Sequence, residues 1–407
     1  MKPFRLVAAL PLGIAVLQGC GIQPAAAPAP TPRAASAAVL TLPIARGERW
    51  IADATDASGQ PLRILLDTGT TFALFDADGP VATRPLAQAD RDRLLAQGAI
   101  LRPVDASGLE VETPTGSTWM PLGLAPALRI QHWSIPAGQL AMVSDLDGFN
   151  ARANRPIDGI LGIEAMRQLT WRADHVEGRL TAYADTPPAH DWQQCTFLTL
   201  ETSQRMPVIP YALPPDRGGF LGIDTGSNGE LTIPTDDFDR MADAREFDGL
   251  GWTWGHGLSG EPAFAREGLL AGMQIGRQRL PKLSVERRDI SPQIGLGVLA
   301  RMDRFELDFR HYRFCFDMTP DARDSQVSTL GAALTRTDAG IRVQALTPEG
   351  RLGRSGAREA DVIVTIDKTD VATLTSAQIE ARLEDPKTAE IGVRRAGKMV
   401  GVGLVRM

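Results

Sequence analysis

Cysteine, tyrosine and histidine are scarce in this chain: three, three and five residues in 407. So few cysteines exclude a small disulfide-built scaffold. The histidines (His132, His175, His190, His256, His311) show neither H-E-x-x-H nor H-x-H spacing, so no metal site is expected. Positive charge is not in excess: 43 basic against 49 acidic residues give a net charge of -6, which argues against nucleic acid as a partner. Beyond the N-terminus no apolar run of about 20 residues occurs, so no later segment is expected to cross a bilayer. Gly257-Leu258-Ser259-Gly260 falls short of the G-x-S-x-G elbow of serine hydrolases. Long helical periodicity is missing too, whereas glycine (40) and proline (29) are plentiful and 43% of residues are apolar. Together these point to a folded, turn-rich, mainly β protein of two or three domains.

The N-terminus reads as an address. Lys2 and Arg5 precede the apolar Leu6–Leu17, and Leu17-Gln18-Gly19-Cys20 follows, the order of a secretory signal. A cysteine directly after the cut resembles the lipobox of bacterial lipoproteins. That resemblance implies a signal peptide over 1–19, acylation of Cys20 and, with Gly21 next, an outer-membrane anchor with the body in the periplasm. Residues 20–38 form an Ala/Pro-rich tether, expected to be an extended spacer.

An internal repeat comes next. Leu40 precedes Leu65-Leu66-Asp67-Thr68-Gly69-Thr70 as Leu198 precedes Gly222-Ile223-Asp224-Thr225-Gly226-Ser227, with 27 and 26 residues from Leu to Asp. Gly159-Ile160-Leu161-Gly162 is matched to Gly295-Leu296-Gly297, and each half ends in an alternating run, Arg179–Tyr183 and Arg313–Phe316. Period-two stretches such as Leu62–Leu66 and Phe305–Phe309 predict strands, and a helix is expected around Leu86 to Ala96.

Asp-Thr-Gly behind two apolar residues, twice, at matching places in a repeat, resembles the signature of clan AA aspartic proteases, the pepsin and retropepsin fold. The resemblance covers about Val39 to Asp317. It implies a two-lobed acid-protease β-barrel fold, lobe 1 over 39–190 and lobe 2 over 191–320, with Asp67 and Asp224 as the catalytic pair and no cofactor. Two carboxylates about 3 Å apart cannot both ionise, so one proton is shared: one carboxylate activates water and the other protonates the carbonyl. Gly69 and Gly226 are expected to let the loops turn tightly, Thr68 and Thr225 to bond the opposite loop, and Thr70 and Ser227 to bond the outer carboxylate oxygens. Flap hairpins are expected at Thr113–Trp119 and Gly255–Gly260. Gly116, Trp119 and Gly257 are the candidate substrate contacts, and neither flap carries the tyrosine of pepsins.

Residues 326–407 resemble a periplasmic PDZ domain, β-rich with a helix over Ser376–Glu384. The departure is Ala360-Asp361, where that family usually has Gly-Asp. The resemblance makes Leu330, Gly331, Ala332 and Ala333 the loop that caps a peptide C-terminus. In the retropepsin-like fold the first and last strands of a lobe approach one another, which implies a Cys195–Cys315 disulfide; the alternative is two free thiols. Gly295–Ala300 also fits the dinucleotide fingerprint G-x-G-x-x-A, but lacks a proper strand before it and a long helix after it. Asp56, Asp76 and Asp78 read as turn residues. The expected partners are an extended peptide or protein substrate, a peptide C-terminus at the last domain, and the membrane through the lipid alone. Two functions stay open: an aspartic endopeptidase, general or dedicated to one partner, and a peptide-binding scaffold that keeps the fold without cleaving.

Overall fold

The computed structural model describes residues 37–81, 83–96, 108–113, 116–150, 155–201, 205–213, 217–256, 262–320 and 322–406. The leader, Cys20 and most of the tether lie outside them. Among the described residues no helix is long and apolar enough to cross a membrane.

The chain is mainly β. Alternating stretches form strands at Pro61–Leu66, Arg179–Tyr183, Arg313–Met318 and Gly340–Leu346. Helices lie at Gln88–Ala96 and Ser376–Glu384. The second starts where Thr375 and Gln378 form a reciprocal capping box, which satisfies two otherwise orphaned donors.

Two ten-stranded sheets repeat each other. Along the first run Gly108–Thr113, Gly116–Leu124, Leu140–Ser144, Ala73–Asp76, Gly159–Leu161, Pro61–Leu66, Ile51–Asp56, Leu128–Ile130 and Trp133–Ile135, with the short Arg84–Pro85 as a tenth strand also paired to Gly116–Leu124. Along the second run Phe247–His256, Pro262–Leu270, Leu283–Arg288, Leu231–Pro234, Gln293–Ile294, Arg217–Ile223, Pro207–Leu213, Gln274–Ile275 and Gln278–Arg279, with the short Thr199–Leu200 as a tenth strand also paired to Pro207–Leu213. Apart from these two short strands, the connections match strand for strand. A six-stranded sheet joins the halves in the order Ala38–Pro43, Arg179–Tyr183, Thr170–Asp174, Met302–Asp308, Arg313–Met318, Gln194–Phe197. Its order is mirrored about the antiparallel seam between Thr170–Asp174 and Met302–Asp308. Two ion pairs cross that seam, Arg172 to Glu306 (2.5 Å) and Arg304 to Asp174 (2.8 Å). Burial pushes the Glu306 carboxyl above the usual range, against the pull of Arg172. A one-residue slip of the seam would turn these charges to the opposite face, so they hold the halves in register.

One apolar cluster runs through both halves. Trp50 of the first half stacks on Phe305 of the second at 5.9 Å, and Trp171 meets Trp133 edge-on at 5.6 Å while donating its indole N–H to the Met166 carbonyl. Each such buried large side chain stabilises by about 1.5–3 kcal/mol.

The strand pairing corrects the repeat register read from the sequence. Ile44 and Leu198 are the equivalent residues, because their amides donate to the equivalent turn carbonyls of Gly178 and Tyr312; Leu40 lies four residues earlier. Likewise Asp67 donates its amide to Leu161 and Asp224 to Ile294, so Gly162 corresponds to Gly295, and Gly159 corresponds to Pro292. Apolar letters at period two match equally well at several offsets, and only the hydrogen-bond ladder selects one.

The last sheet runs Ala332–Thr337, Gly340–Leu346, Val362–Ile366, Glu390–Arg395, Lys398–Gly403 over its own core of Val343, Ile363, Leu383, Ile391 and Val393. Arg351 is 1% exposed and donates to the carbonyls of Leu383, Asp385, Thr388 and Val405, so each of its three nitrogens is hydrogen-bonded at the end of the Ser376–Glu384 helix. The segment leading into this sheet lies along the second half. Ser325 joins Arg301 and Glu230, and Ser328 accepts the Trp252 amide at 2.7 Å. A Cβ at Gly251 would meet the Ser328 oxygen at 2.3 Å, which explains the glycine there. Glu267, next to this segment, is held up to about 7 by burial, with Ser284 and Ser328 donating to it and Glu286 and Glu230 adding like charge.

Candidate active site

Asp67 and Asp224 follow directly on the central strands Pro61–Leu66 and Arg217–Ile223. Each is tied by its amide to the neighbouring parallel strand, Leu161 at 3.0 Å and Ile294 at 2.9 Å. The structure brings the two carboxyl groups into contact with each other, each packed against the glycine of the opposite loop.

Thr68 and Thr225 interlock beneath them. The Thr68 hydroxyl donates to the Ile223 carbonyl (2.6 Å) and accepts the Thr225 amide (3.1 Å); the Thr225 hydroxyl donates to Leu66 (3.0 Å) and accepts the Thr68 amide (3.0 Å). Both threonines are fully buried. Four bonds at about 1 kcal/mol each, with a greater penalty if one partner is removed, hold the loops together.

Gly69 and Gly226 serve closeness rather than turning. Neither has a positive φ. A Cβ on Gly69 would lie 2.5 Å from the Asp224 Cγ, and one on Gly226 would lie 2.4 Å from the Asp67 Cγ. Any side chain here would push the carboxylates apart.

The donors around the pair are unequal. Asp67 accepts the Gly69 amide on Oδ1 (2.8 Å) and the Thr70 hydroxyl on Oδ2 (2.7 Å). Asp224 accepts the Gly226 and Ser227 amides on Oδ1 (2.8 and 3.1 Å). Its Oδ2 is bonded not by the Ser227 hydroxyl, as the repeat suggests, but by the Gln293 amide nitrogen at 2.8 Å. The Ser227 hydroxyl turns back to accept the Gly229 amide. Gln293 occupies the position of Ile160 in the first half, and the shifted register hid it. A polar residue in an otherwise apolar slot is the signal that the correct alignment exposes.

Asp67 is buried, while Asp224 keeps part of its surface toward solvent. Enclosure by protein, then the charge of Asp67 and a hydrogen bond with it, push the Asp224 carboxyl up to about 8, against the Gly226 and Ser227 amides. That step belongs to the pair: below it the two carboxylates hold one proton between them.

Arg49 was not singled out by the sequence. Its Nε donates to the Gly226 carbonyl at 3.0 Å, and its guanidinium lies 4.9 Å from the centre of the Phe149 ring. Burial lowers its pKa while Asp67 and Asp224 both raise it, so it lies within the field of the pair.

The first hairpin, Gly108–Thr113 with Gly116–Leu124, carries Gly116 at its turn and a half-exposed Trp119 opposite Glu110. Pro114 and Thr115 lie outside the described residues. So does Gly257; the second hairpin is described as Phe247–His256 paired with Pro262–Leu270. In the last sheet Leu330 is buried, Gly331 has φ +63°, and Ala332 and Ala333 pair with Leu346 and Ala345. The Leu330 amide is taken by the Ser328 hydroxyl, and the Glu384 carboxylate accepts from the Ser328 and Thr329 hydroxyls and the Thr329 amide. An internal carboxylate thus stands just before this loop. Cys195 and Cys315 face each other across paired strands and are joined by a disulfide. Among the described residues no group of three or more His, Cys, Asp or Glu side chains is placed to hold a metal ion.

No family model and no curated protein matches the chain. The chemistry therefore rests on the site itself.

Gln293→Leu tests the unequal donor. Losing a hydrogen bond to the charged form of Asp224 is expected to raise the upper pKa of the pair. It should also lower kcat/KM on a cleavable peptide by about tenfold, the worth of one charge-assisted bond. An unchanged alkaline limb in the pH–rate profile would reduce Gln293 to packing.

Proposed function

We propose that the chain is an aspartic-type endopeptidase of the two-lobed acid-protease fold, acting on extended segments of periplasmic proteins or peptides. The observation that carries this is the pair of Asp-Thr-Gly loops, brought together by matching strands of two repeated halves with their carboxyl groups in contact. Between the two aspartates a water molecule is deprotonated by the ionised carboxylate and attacks the peptide carbonyl. The protonated partner donates to the carbonyl oxygen, and collapse of the tetrahedral species returns a proton to the leaving amine. Since both aspartates come from one chain, a dimer is not required to complete the pair. The two hairpins flank the substrate, which lies as an added strand. The direct test is mass spectrometry of an unstructured protein incubated with the purified chain. New internal termini support the reading, and an unchanged protein at every pH from 3 to 9 refutes it.

The last domain is read as a PDZ-like module that recruits a substrate or a protein terminus. Ala360 supports this: its φ of +66° is a left-handed conformation that favours glycine, the residue usual there in the resembling family. Anchoring through Cys20 to the outer membrane completes the reading. Cys20→Ala should leave the protein unprocessed or soluble rather than lipid-anchored, and a variant that is cut normally and fully retained in the membrane would remove the anchor.

A further inference from the structure

We propose that Arg49 is a carboxylate-binding subsite beside the aspartate pair, so that the enzyme selects peptides carrying an acidic group next to the scissile bond. The inference rests on the endopeptidase reading and adds a substrate class to it.

Three observations carry it. Arg49 borders the reacting groups: its Nε is bonded to Gly226, whose own Cα side packs against the Asp67 carboxylate. The guanidinium is held in place, by that bond at one edge and by Phe149 against its face at 4.9 Å. Its remaining donors are unspent, for among the described residues neither Nη atom has a hydrogen-bond or ion-pair partner. A guanidinium has five N–H donors in a fixed fork, so one anchored through Nε still offers its two Nη groups.

The two carboxylates whose charge acts on Arg49 take no hydrogen bond from it, and the acid behind the first loop is also engaged. The oxygens of Asp67 are engaged by Gly69 and Thr70, and those of Asp224 by Gly226, Ser227 and Gln293. Glu164, the acidic residue of the short helix behind the first loop, is paired with Arg167 and Arg205. The arginine is half-buried, where a charge-assisted fork is worth more than an exposed pair. Rigidity matters as well, because a guanidinium already fixed loses little freedom on binding. A planar, pre-positioned, partly desolvated fork fits a carboxylate. A substrate can present one as an Asp or Glu side chain or as its C-terminus, and the second source would make the cleavage exopeptidic.

The experiment uses the full chain and peptides that differ at one group. One arm scans Glu against Gln through an amidated peptide; the other compares free and amidated C-termini in a peptide without acidic residues. Wild type is expected to favour the carboxylate by tenfold or more in kcat/KM in one of the arms, and the arm identifies the source. Arg49→Met should erase the preference, Arg49→Lys should keep part of it, and Arg49→Glu should turn it toward a Lys-bearing peptide. A merely structural arginine would lower all rates together and leave the Glu-to-Gln ratio unchanged in Arg49→Met, which overturns the proposal. Anisotropy of the same labelled peptides on Asp67→Asn, with and without Arg49→Met, reads the preference without turnover. A binding preference that depends on Arg49 in a protein that never cleaves would sink the endopeptidase reading and leave the subsite standing.

Discussion

Asp67→Asn and Asp224→Asn are each expected to lower kcat/KM by at least about a thousandfold, while both variants fold. One positioned acid or base commonly contributes 10²- to 10⁴-fold, and here the two roles are divided across a single pair, so the loss of either carboxyl removes both. The fold should persist because an asparagine oxygen still accepts the Gly69 or Gly226 amide and the threonine interlock is untouched. Stability should respond in a definite direction. The Asp224 carboxyl is raised to about 8 in the fold, so its contribution is fully present below its ordinary value near 4 and is lost as pH rises through about 8. At pH 8 Asp224→Asn, which has no charge to bury, should therefore unfold at a higher denaturant concentration than wild type. Near-normal turnover by either variant, or a less stable Asp224→Asn at pH 8, would contradict the shared-proton pair.

The second large effect is the disulfide. Cys195–Cys315 closes a loop of 120 residues that contains the whole second ten-stranded sheet. On the chain-entropy model, constraining a loop of that length in the unfolded chain contributes up to about 4–5 kcal/mol. Its position adds a local consequence: Cys195 lies on Gln194–Phe197, the edge strand of the six-stranded sheet, while Cys315 is fully buried in the neighbouring strand. A double Cys→Ala variant is expected to lower the denaturation midpoint, and the oxidised protein should show no thiol at Cys195 or Cys315 that alkylates before reduction. Equal midpoints with and without reductant would mean that the bond does not constrain the unfolded chain.

Much of this was legible in the sequence because it depends on local pattern. The Asp-Thr-Gly pair marked the aspartates, and alternation marked Pro61–Leu66 and Arg313–Met318. The helix over Ser376–Glu384 was expected as well, and its Thr375/Gln378 capping box emerged only in the structure. What was hidden depends on register and on long-range approach. Gln293 could not be placed until the Asp224-to-Ile294 bond aligned it with Ile160. The role of Gly69 depends on a carboxylate 155 residues away in Asp224, and its backbone alone suggested a turn. Arg49 belongs to no motif; only the fold carries it to Gly226.

The pH dependence of kcat/KM on a peptide without ionisable side chains tests the central claim most directly. With one proton held between Asp67 and Asp224 up to a step near 8, the rate at pH 7 should be retained and should fall about tenfold per unit above pH 8, as the pair loses that proton. A rate that keeps rising above pH 8, or a profile indifferent to the replacement of either aspartate, would contradict a reaction run by these two carboxyl groups.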